Sequence, residues 1–283
     1  MFAPTHELRI SNSRQRVIFS GFTKARFKTL YVDPAVHVNA QDKAYSYNIK
    51  MKQDLMDLSD AAVQRALHES FRLAEAAATT AATYFARRPS RFHSLDRMAK
   101  MFDRHFKNAN PSDEERREAQ TVFEQTAAGL QGNVVIADLF AGADRFNDNR
   151  GLMWGAEGQV GFDARTDALY MTEMRKEGAM DRKNDIMRQF LGTADSLDIY
   201  IDFSLIKRVN KFQLARVIVH EATHKFAFTG DYAYMHDTPN FSAMSKADAL
   251  KNADSYAYAA ISAHAESALT PAKIQRLGAT LVP

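Results

Sequence analysis

Residues 220 to 224 read His-Glu-Ala-Thr-His and lie in a stretch whose apolar residues recur at helical spacing. The recurring apolar positions are Leu214, Ala215, Val217, Ile218, Ala222 and Phe226. Neither Gly nor Pro interrupts this stretch, so the pattern predicts a helix with one face in the core. Residues four apart lie on the same face of a helix, so His220 and His224 can present two imidazole nitrogens to one point.

Two imidazoles at this spacing are a typical pair of zinc ligands. Glu221 lies one residue further round the helix, where it can accept a proton from a water that the metal activates. A run with apolar residues at alternate positions, 197–203, precedes the helix and predicts a strand, while Gly230 is expected to end the helix. The sequence therefore predicts a helix that carries a zinc site and its own general base.

A catalytic zinc site usually has three protein ligands and leaves one position to water. The residues downstream of the helix that qualify by type are Asp231, His236, Asp237, Asp248, Asp254, His264 and Glu266. We favour Asp231 because the preceding glycine lets the backbone reverse, and a short side chain just past that turn can reach back to the histidines. Glu266, a more distant acidic residue, is the main alternative.

The segments after the histidines resemble the aspzincin metallopeptidases, the family of the deuterolysins and the lysine-specific metallo-endopeptidases. In that family HExxH is followed by a GTxDxxY segment, and Asp231-Tyr-Ala-Tyr234 matches its DxxY part. Asn252-Ala-Asp-Ser-Tyr256 is similar to the segment with the sequence NAD that lines the substrate cleft of these enzymes. An Ala-rich helix near residues 74–82, which ends in Tyr84-Phe85, is a third and weaker similarity.

The resemblance implies a zinc endopeptidase that hydrolyses peptide bonds, with the metal held by His220, His224 and Asp231. Glu221 is then the general base, and Tyr234 donates a hydrogen bond to the oxyanion, with Tyr256 as the second choice for that role.

The resemblance further implies that Asp254 binds the substrate, where its carboxylate would favour a basic side chain. The chain departs from the family pattern at two places. Ala257 stands where the lysine-specific members have a second acidic residue, and the six residues between His224 and Asp231 are fewer than in the family pattern.

Two other functions are open at this point. A zinc amidase that acts on cell-wall peptides would use the same attack on an amide bond. A zinc-binding pseudoenzyme would use the fold to recognise a partner, but the intact Glu221 favours an enzyme, because a purely structural site has no use for a base.

Composition bounds the partners and the compartment. The net charge of +3 is small, so we expect no nucleic-acid partner. The expected partner is the protein or peptide substrate that the resemblance implies. No stretch approaches the ~18 apolar residues of a membrane span. The N-terminus shows no signal-peptide pattern, and the chain has no Cys. We therefore expect either a cytoplasmic protein or export by a non-classical route, as for a bacterial effector or toxin.

Periodicity along the chain predicts an α+β fold. Short strand-like runs indicate a β-rich N-terminal extension over residues 1–55, which could contact a secretion system or a target protein. Residues 56–283 are expected to form a helix-rich, zincin-like metallopeptidase domain with a small antiparallel or mixed sheet and an HExxH active-site helix. Its helices are predicted from Ser59 to before Pro89 and over 95–106, 112–130 and 245–268, and its strands over 133–137, 159–162 and 197–203. Glycines at 142, 151, 155, 158 and 161 indicate the rim of a cleft, where an extended peptide could add as an edge strand.

Overall fold

The computed structural model of the protein describes residues 6–12, 15–21, 60–86, 94–138, 157–162, 197–266 and 269–277, together with five single positions between 169 and 178. Of the N-terminal extension predicted over residues 1–55, only the first two of these ranges are described, and the glycines at 142, 151 and 155 lie outside the described residues. Of the helices within the described ranges, none is long and apolar enough to cross a membrane.

Three helices precede the main sheet: α1 at Ala61–Ala86, α2 at Ser94–Phe106 and α3 at Asp113–Gln131. α1 buries an apolar stripe at helical spacing, which includes Val63, Leu67, Phe71, Ala74, Ala78, Ala81 and Phe85. α3 begins with a capping box, in which the Ser112 side chain accepts from the backbone N–H of Glu115 and the Glu115 side chain accepts from that of Ser112.

Five strands form one mixed sheet in the order β1-β2-β3-β5-β4. Their bounds are β1 His6–Asn12, β2 Gln15–Gly21, β3 Asn133–Asp138, β4 Gly158–Phe162 and β5 Leu197–Ile201. β3 runs parallel to both β2 and β5, while β1 with β2 and β4 with β5 are antiparallel pairs. The N-terminal strands therefore extend the same sheet through β3, and β4 lies at one edge of the sheet that the described strands form. The division of the chain at residue 55 stays a prediction.

A 3-10 helix at Phe203–Lys207 joins β5 to α4, which spans Lys211–Ala227. The Asn210 side chain caps α4 by accepting from the backbone N–H groups of Phe212 and Gln213. Helix α4 contacts α1, α3 and β5, so it is buried on several sides. The prediction that Gly230 ends this helix is wrong, because Phe228 already adopts the left-handed conformation with φ 54°.

The C-terminal part contains α5 at Thr238–Ala243, α6 at Lys246–Ala249, α7 at Ala253–His264 and α8 at Pro271–Gln275. The prediction of a single helix over 245–268 is wrong, since the structure has two helices there, α6 and α7, with a non-helical turn between them. At the break, Asn252 lies beside Gly230 in an isolated parallel bridge, and this tertiary contact replaces helical hydrogen bonds.

An aromatic cluster joins α1, α2, α3 and α7 in the core. The Phe85 ring lies 5.3 Å from that of Phe102 and 5.1 Å from that of Phe123, and the Tyr256 ring lies 5.0 Å from that of Phe106. Aromatic pairs at these separations stabilise a core beyond the area that they bury. The described residues thus have a helix-rich α+β fold with a small mixed sheet, and the rigid helices around α4 position the site.

Candidate metal site

Three potential metal ligands converge where α4 meets the loop that follows it. The Nε2 atoms of His220 and His224 are 3.2 Å apart, and Oδ1 of Asp231 lies 3.1 Å from the first and 3.2 Å from the second. A tetrahedral zinc ion with ordinary bond lengths separates its ligand atoms by about 3.3 Å. Among the described residues, no other group of three His, Cys, Asp or Glu side chains brings its ligand atoms together in this way. The donor set and its spacing therefore fit zinc.

Each of the two imidazole rings has an oxygen atom of the chain close to its Nδ1 nitrogen. Nδ1 of His224 lies 2.7 Å from the carbonyl oxygen of Thr229, which places a proton on that nitrogen and leaves Nε2 free to bind a metal. Nδ1 of His220 lies 3.4 Å from Oδ1 of Asp254, which is an ion-pair distance without the geometry of a hydrogen bond. Carboxylate and carbonyl partners of this kind orient metal-binding histidines and make them better ligands.

The loop that carries Asp231 is fixed to the start of α7. The Gly230 N–H donates to the carbonyl of Lys251 over 2.8 Å, and the buried Asn252 side chain accepts from the N–H groups of Tyr232 and Ala233 over 2.9 and 3.2 Å. The left-handed residue Phe228 reverses the chain early, so Asp231 reaches both histidines even though the connection is short.

Glu221 is buried, with an exposed fraction of 3%, and its Oε2 has no hydrogen-bond partner. Burial raises the pKa of Glu221, against the opposing effect of the nearby His220 and His224. Gly158 of β4 lies directly against it, since a Cβ at this position would be only 2.7 Å from Oε1. An unpartnered buried carboxylate oxygen beside a metal site is suited to accept a proton from water.

The electrostatics of the site favour a cation. Burial lowers the pKa of His220, but contacts with Asp231 and Asp254 and the charge of Glu221 overcome this and raise the pKa to about 10. Burial also opposes the charge of Asp231, yet contacts with His220 and His224 hold the pKa of this carboxyl well below its usual range. The field that stabilises a proton on His220 would equally stabilise a divalent metal ion.

Tyr234 lies at the open side of the site and is 40% exposed. Its ring stacks on that of His220, with centroids 5.9 Å apart, and on that of the exposed His236, at 5.5 Å. Partial burial and the negative charge of Asp231 raise the pKa of Tyr234 to about 12. The phenol is therefore protonated near neutral pH and can donate a hydrogen bond.

The structure does not agree with a catalytic role for Tyr256. This residue is fully buried, its hydroxyl donates to the carbonyl of Leu250 over 2.6 Å, and its ring packs between those of Phe106 and Phe123. Its helical position on α7 turns it into the core and away from the metal ligands.

Asp254 is likewise not placed to bind a substrate. It is 1% exposed, its Oδ2 accepts from the backbone N–H of Met235 over 2.5 Å, and its Oδ1 lies 3.2 Å from Nη1 of Arg216. Both carboxylate oxygens contact groups of the same chain. The prediction that Asp254 binds the substrate is therefore wrong, and Asp254 instead lies behind His220.

Glu266, the alternative third ligand, lies beyond the C-terminal end of α7 and is exposed. It is not in the group of converging ligand atoms, whereas Asp231 is. Arg216 was not predicted as a site residue, and Gly158 was predicted only as one of the glycines at the rim of a cleft. A signal for Arg216 was available, because it precedes His220 by one helical turn and lies on the same face.

Two histidines of an HExxH helix, an aspartate from the next loop and an unpartnered glutamate are the kinds of group that metal-dependent hydrolases use. Residues 197–261 match the family model of the aspzincins, which is described as lysine-specific metallo-endopeptidase. The match extends from β5 through α4 into α7 and includes all three ligands. It confirms the resemblance drawn from the sequence, and it supports a metallopeptidase, a class whose cofactor is typically zinc. None of the curated proteins matches the chain.

Proposed function

We propose that the protein is a zinc-dependent endopeptidase in which Glu221 is the general base. The observation that supports it most strongly is the convergence of three ligand atoms, 3.1 to 3.2 Å apart, beside the unpartnered oxygen of Glu221. When bound, zinc supplies Lewis acidity, which lowers the pKa of a water molecule and polarises a peptide carbonyl.

Glu221 moves the protons of the reaction. Its raised pKa brings it nearer to working pH, so it can take a proton from the attacking water and pass that proton to the leaving amine. Because the carboxylate is enclosed between α4 and β4, little bulk water competes for the proton.

Tyr234 supplies the hydrogen bond to the oxyanion that forms during the attack. Its stacking between His220 and His236 fixes the ring beside the metal ligands, and its partial exposure leaves the hydroxyl accessible to a substrate.

The substrate binds as an extended peptide along β4. This strand is at the edge of the sheet in the described part of the chain, and its first residue touches the general base. A peptide that adds to this edge through backbone hydrogen bonds would bring its scissile bond next to Glu221.

The test combines metal analysis with digestion of a denatured protein. Glu221→Gln should keep one zinc ion per chain and lose activity by at least about 100-fold, because the base is gone and the ligands remain. Asp231→Asn should lose zinc affinity as well as activity. Glu118→Gln, a change to an exposed glutamate on α3, is the matched control.

A Glu221→Gln variant that digests as fast as the parent would rule out the proposed role of the base. A parent protein that binds zinc but cleaves no protein would favour the pseudoenzyme or the amidase. Export as an effector, and contact of the N-terminal extension with a secretion system or target, stay predictions.

A further inference from the structure

Arg216 lies at the centre of an ion-pair chain that runs from the sheet to the metal ligands. It precedes His220 by one turn of α4, and its side chain is 11% exposed. Nη1 lies 3.2 Å from Oδ1 of Asp254, and Nη2 contacts Oε2 of Glu157. The guanidinium also lies over the ring of Tyr258, with 5.4 Å to its centroid.

The inner end of this chain is the carboxylate of Asp254, which lies behind His220. The same oxygen that contacts Arg216 is 3.4 Å from Nδ1 of His220. A buried carboxylate is costly unless its charge is compensated, and Arg216 supplies the compensating charge from within the chain. Without it, Asp254 would lose the contact that holds its Oδ1 at this place.

The outer end is Glu157, which is half-exposed and directly precedes β4. The Glu157 carbonyl accepts from the backbone N–H of Asp202, just after β5. Glu157 is thus part of the sheet edge, and its side chain connects that edge to α4. The next residue is Gly158, which touches Glu221.

We propose that Arg216 is a positioning residue, which fixes Asp254 behind His220 and ties the start of β4 to the metal-binding helix. A planar guanidinium can contact two carboxylates at once, and a lysine at this place could satisfy only one of them well. Through Asp254 it sets the orientation of a metal ligand, and through Glu157 it sets the position of the strand that flanks the general base. The inference concerns the same site as the proposed function and rests on it for the effect on substrate.

The first experiment measures zinc affinity by competition with a chromophoric chelator, and needs no peptidase activity. Arg216→Gln should weaken zinc binding by about 10- to 100-fold, the range typical for loss of a partner of a metal-binding histidine. Arg216→Lys should recover part of that loss. Arg208→Gln removes another ion pair to a buried aspartate, between Arg208 and Asp202 at 2.8 Å, although the Arg208 side chain is 52% exposed; it is the control with unchanged zinc affinity.

A double-mutant cycle with Asp254→Asn shows whether Arg216 acts through Asp254. The two changes should be strongly non-additive, so that the double variant binds zinc about as well as Asp254→Asn alone. Fully additive losses, or a folded Arg216→Gln variant with zinc affinity within about twofold of the parent, would overturn the proposal.

Glu157→Gln isolates the outer contact and also serves if Arg216→Gln does not fold. It should raise KM for a peptide substrate by several-fold while zinc affinity stays unchanged, because Asp254 keeps its arginine. An unchanged KM in an active enzyme would refute the link to β4. If the parent cleaves nothing, the proposed function fails, yet the zinc measurements still decide the role of Arg216 on the metal ligand.

Discussion

Asp254 shows how the role of a single residue depends on what surrounds it. In the amino-acid sequence it stands in a segment similar to one that lines a substrate cleft, and an exposed carboxylate there would attract a basic side chain. In the structure its two oxygens contact Arg216, His220 and the backbone of Met235, and only 1% of the residue is exposed. Its negative charge is already compensated by the chain itself.

We therefore expect no strong preference for lysine in the substrate. Two peptides that carry either Lys or Met next to the scissile bond, and are otherwise identical, should be cleaved with kcat/KM values within about threefold of each other. Methionine is the comparison because its side chain has a similar length but no charge. The same exchange several residues away from the cut provides the control. A preference for Lys of about 100-fold would show that Asp254 or another acidic group meets the substrate.

The roles of Tyr234 and Tyr256 can be distinguished by removing each hydroxyl group in turn. Tyr234→Phe should lower kcat by about 10-fold or more and leave zinc binding intact, because the hydroxyl acts only on the oxyanion. Tyr256→Phe should keep kcat and destabilise the fold by about 1 to 2 kcal/mol, since the Leu250 carbonyl loses its buried partner. Denaturant unfolding and steady-state kinetics measure the two effects. A loss of kcat in folded Tyr256→Phe would restore it as a catalytic candidate.

At the scale of elements, the contact between β4 and α4 limits where Glu221, the proposed general base, can lie. Gly158 leaves room for the Glu221 side chain, and any side chain at this strand position would have to displace the carboxylate or the strand. The close approach of Glu221 therefore explains why a glycine stands at position 158, which the strand pattern alone does not explain.

Gly158→Ala should accordingly reduce kcat by at least about 10-fold with zinc affinity unchanged, since a displaced base transfers protons poorly. Gly161→Ala on the same strand is the matched control, because its Cβ would lie 3.1 Å from the edge of the Tyr200 ring and far less close to any catalytic group. Equal activities of the two variants would mean that the position of Glu221 is not limited by β4.

Elements with strong periodicity could be predicted from the sequence, whereas tertiary contacts could not. The helices α1 to α4 follow apolar stripes and caps, and β3 to β5 follow short apolar runs, so their local signals agree with the fold. The break before Asn252 depends on hydrogen bonds to a loop 20 residues earlier in the chain, and no local pattern reports it. The proximity of His220 and His224 could be predicted because helical spacing brings them together, whereas the burial of Asp254 and Tyr256 depends on neighbouring helices.

In the whole molecule, the three ligands connect parts of the fold that are otherwise held by separate contacts. His220 and His224 belong to α4, which packs on the sheet and on α1, while Asp231 belongs to a loop that Asn252 fixes to α7. A metal that binds all three closes this connection, and its binding free energy adds to the stability of the folded state.

Zinc should therefore raise the melting temperature, and by more as pH rises. In the metal-free protein the pKa of His220 is raised from 6.5 to about 10, so its proton contributes stability that is fully present below pH 6.5 and is lost as pH rises toward 10. Burial raises the pKa of Glu221, which acts in the same direction, while Asp231, with its lowered pKa, titrates below this range. Zinc takes the place of the His220 proton, so the loaded protein does not suffer this loss.

Melting curves of zinc-loaded and chelator-treated protein, recorded at about pH 6 and about pH 8.5, measure this effect. The difference between the two melting temperatures should widen as pH rises, and in His220→Gln the chelator should have little effect at either pH. A difference in melting temperature that narrows as pH rises would contradict the electrostatic account of the site. It would mean that the folded, metal-free protein does not stabilise a positive charge between the three side chains.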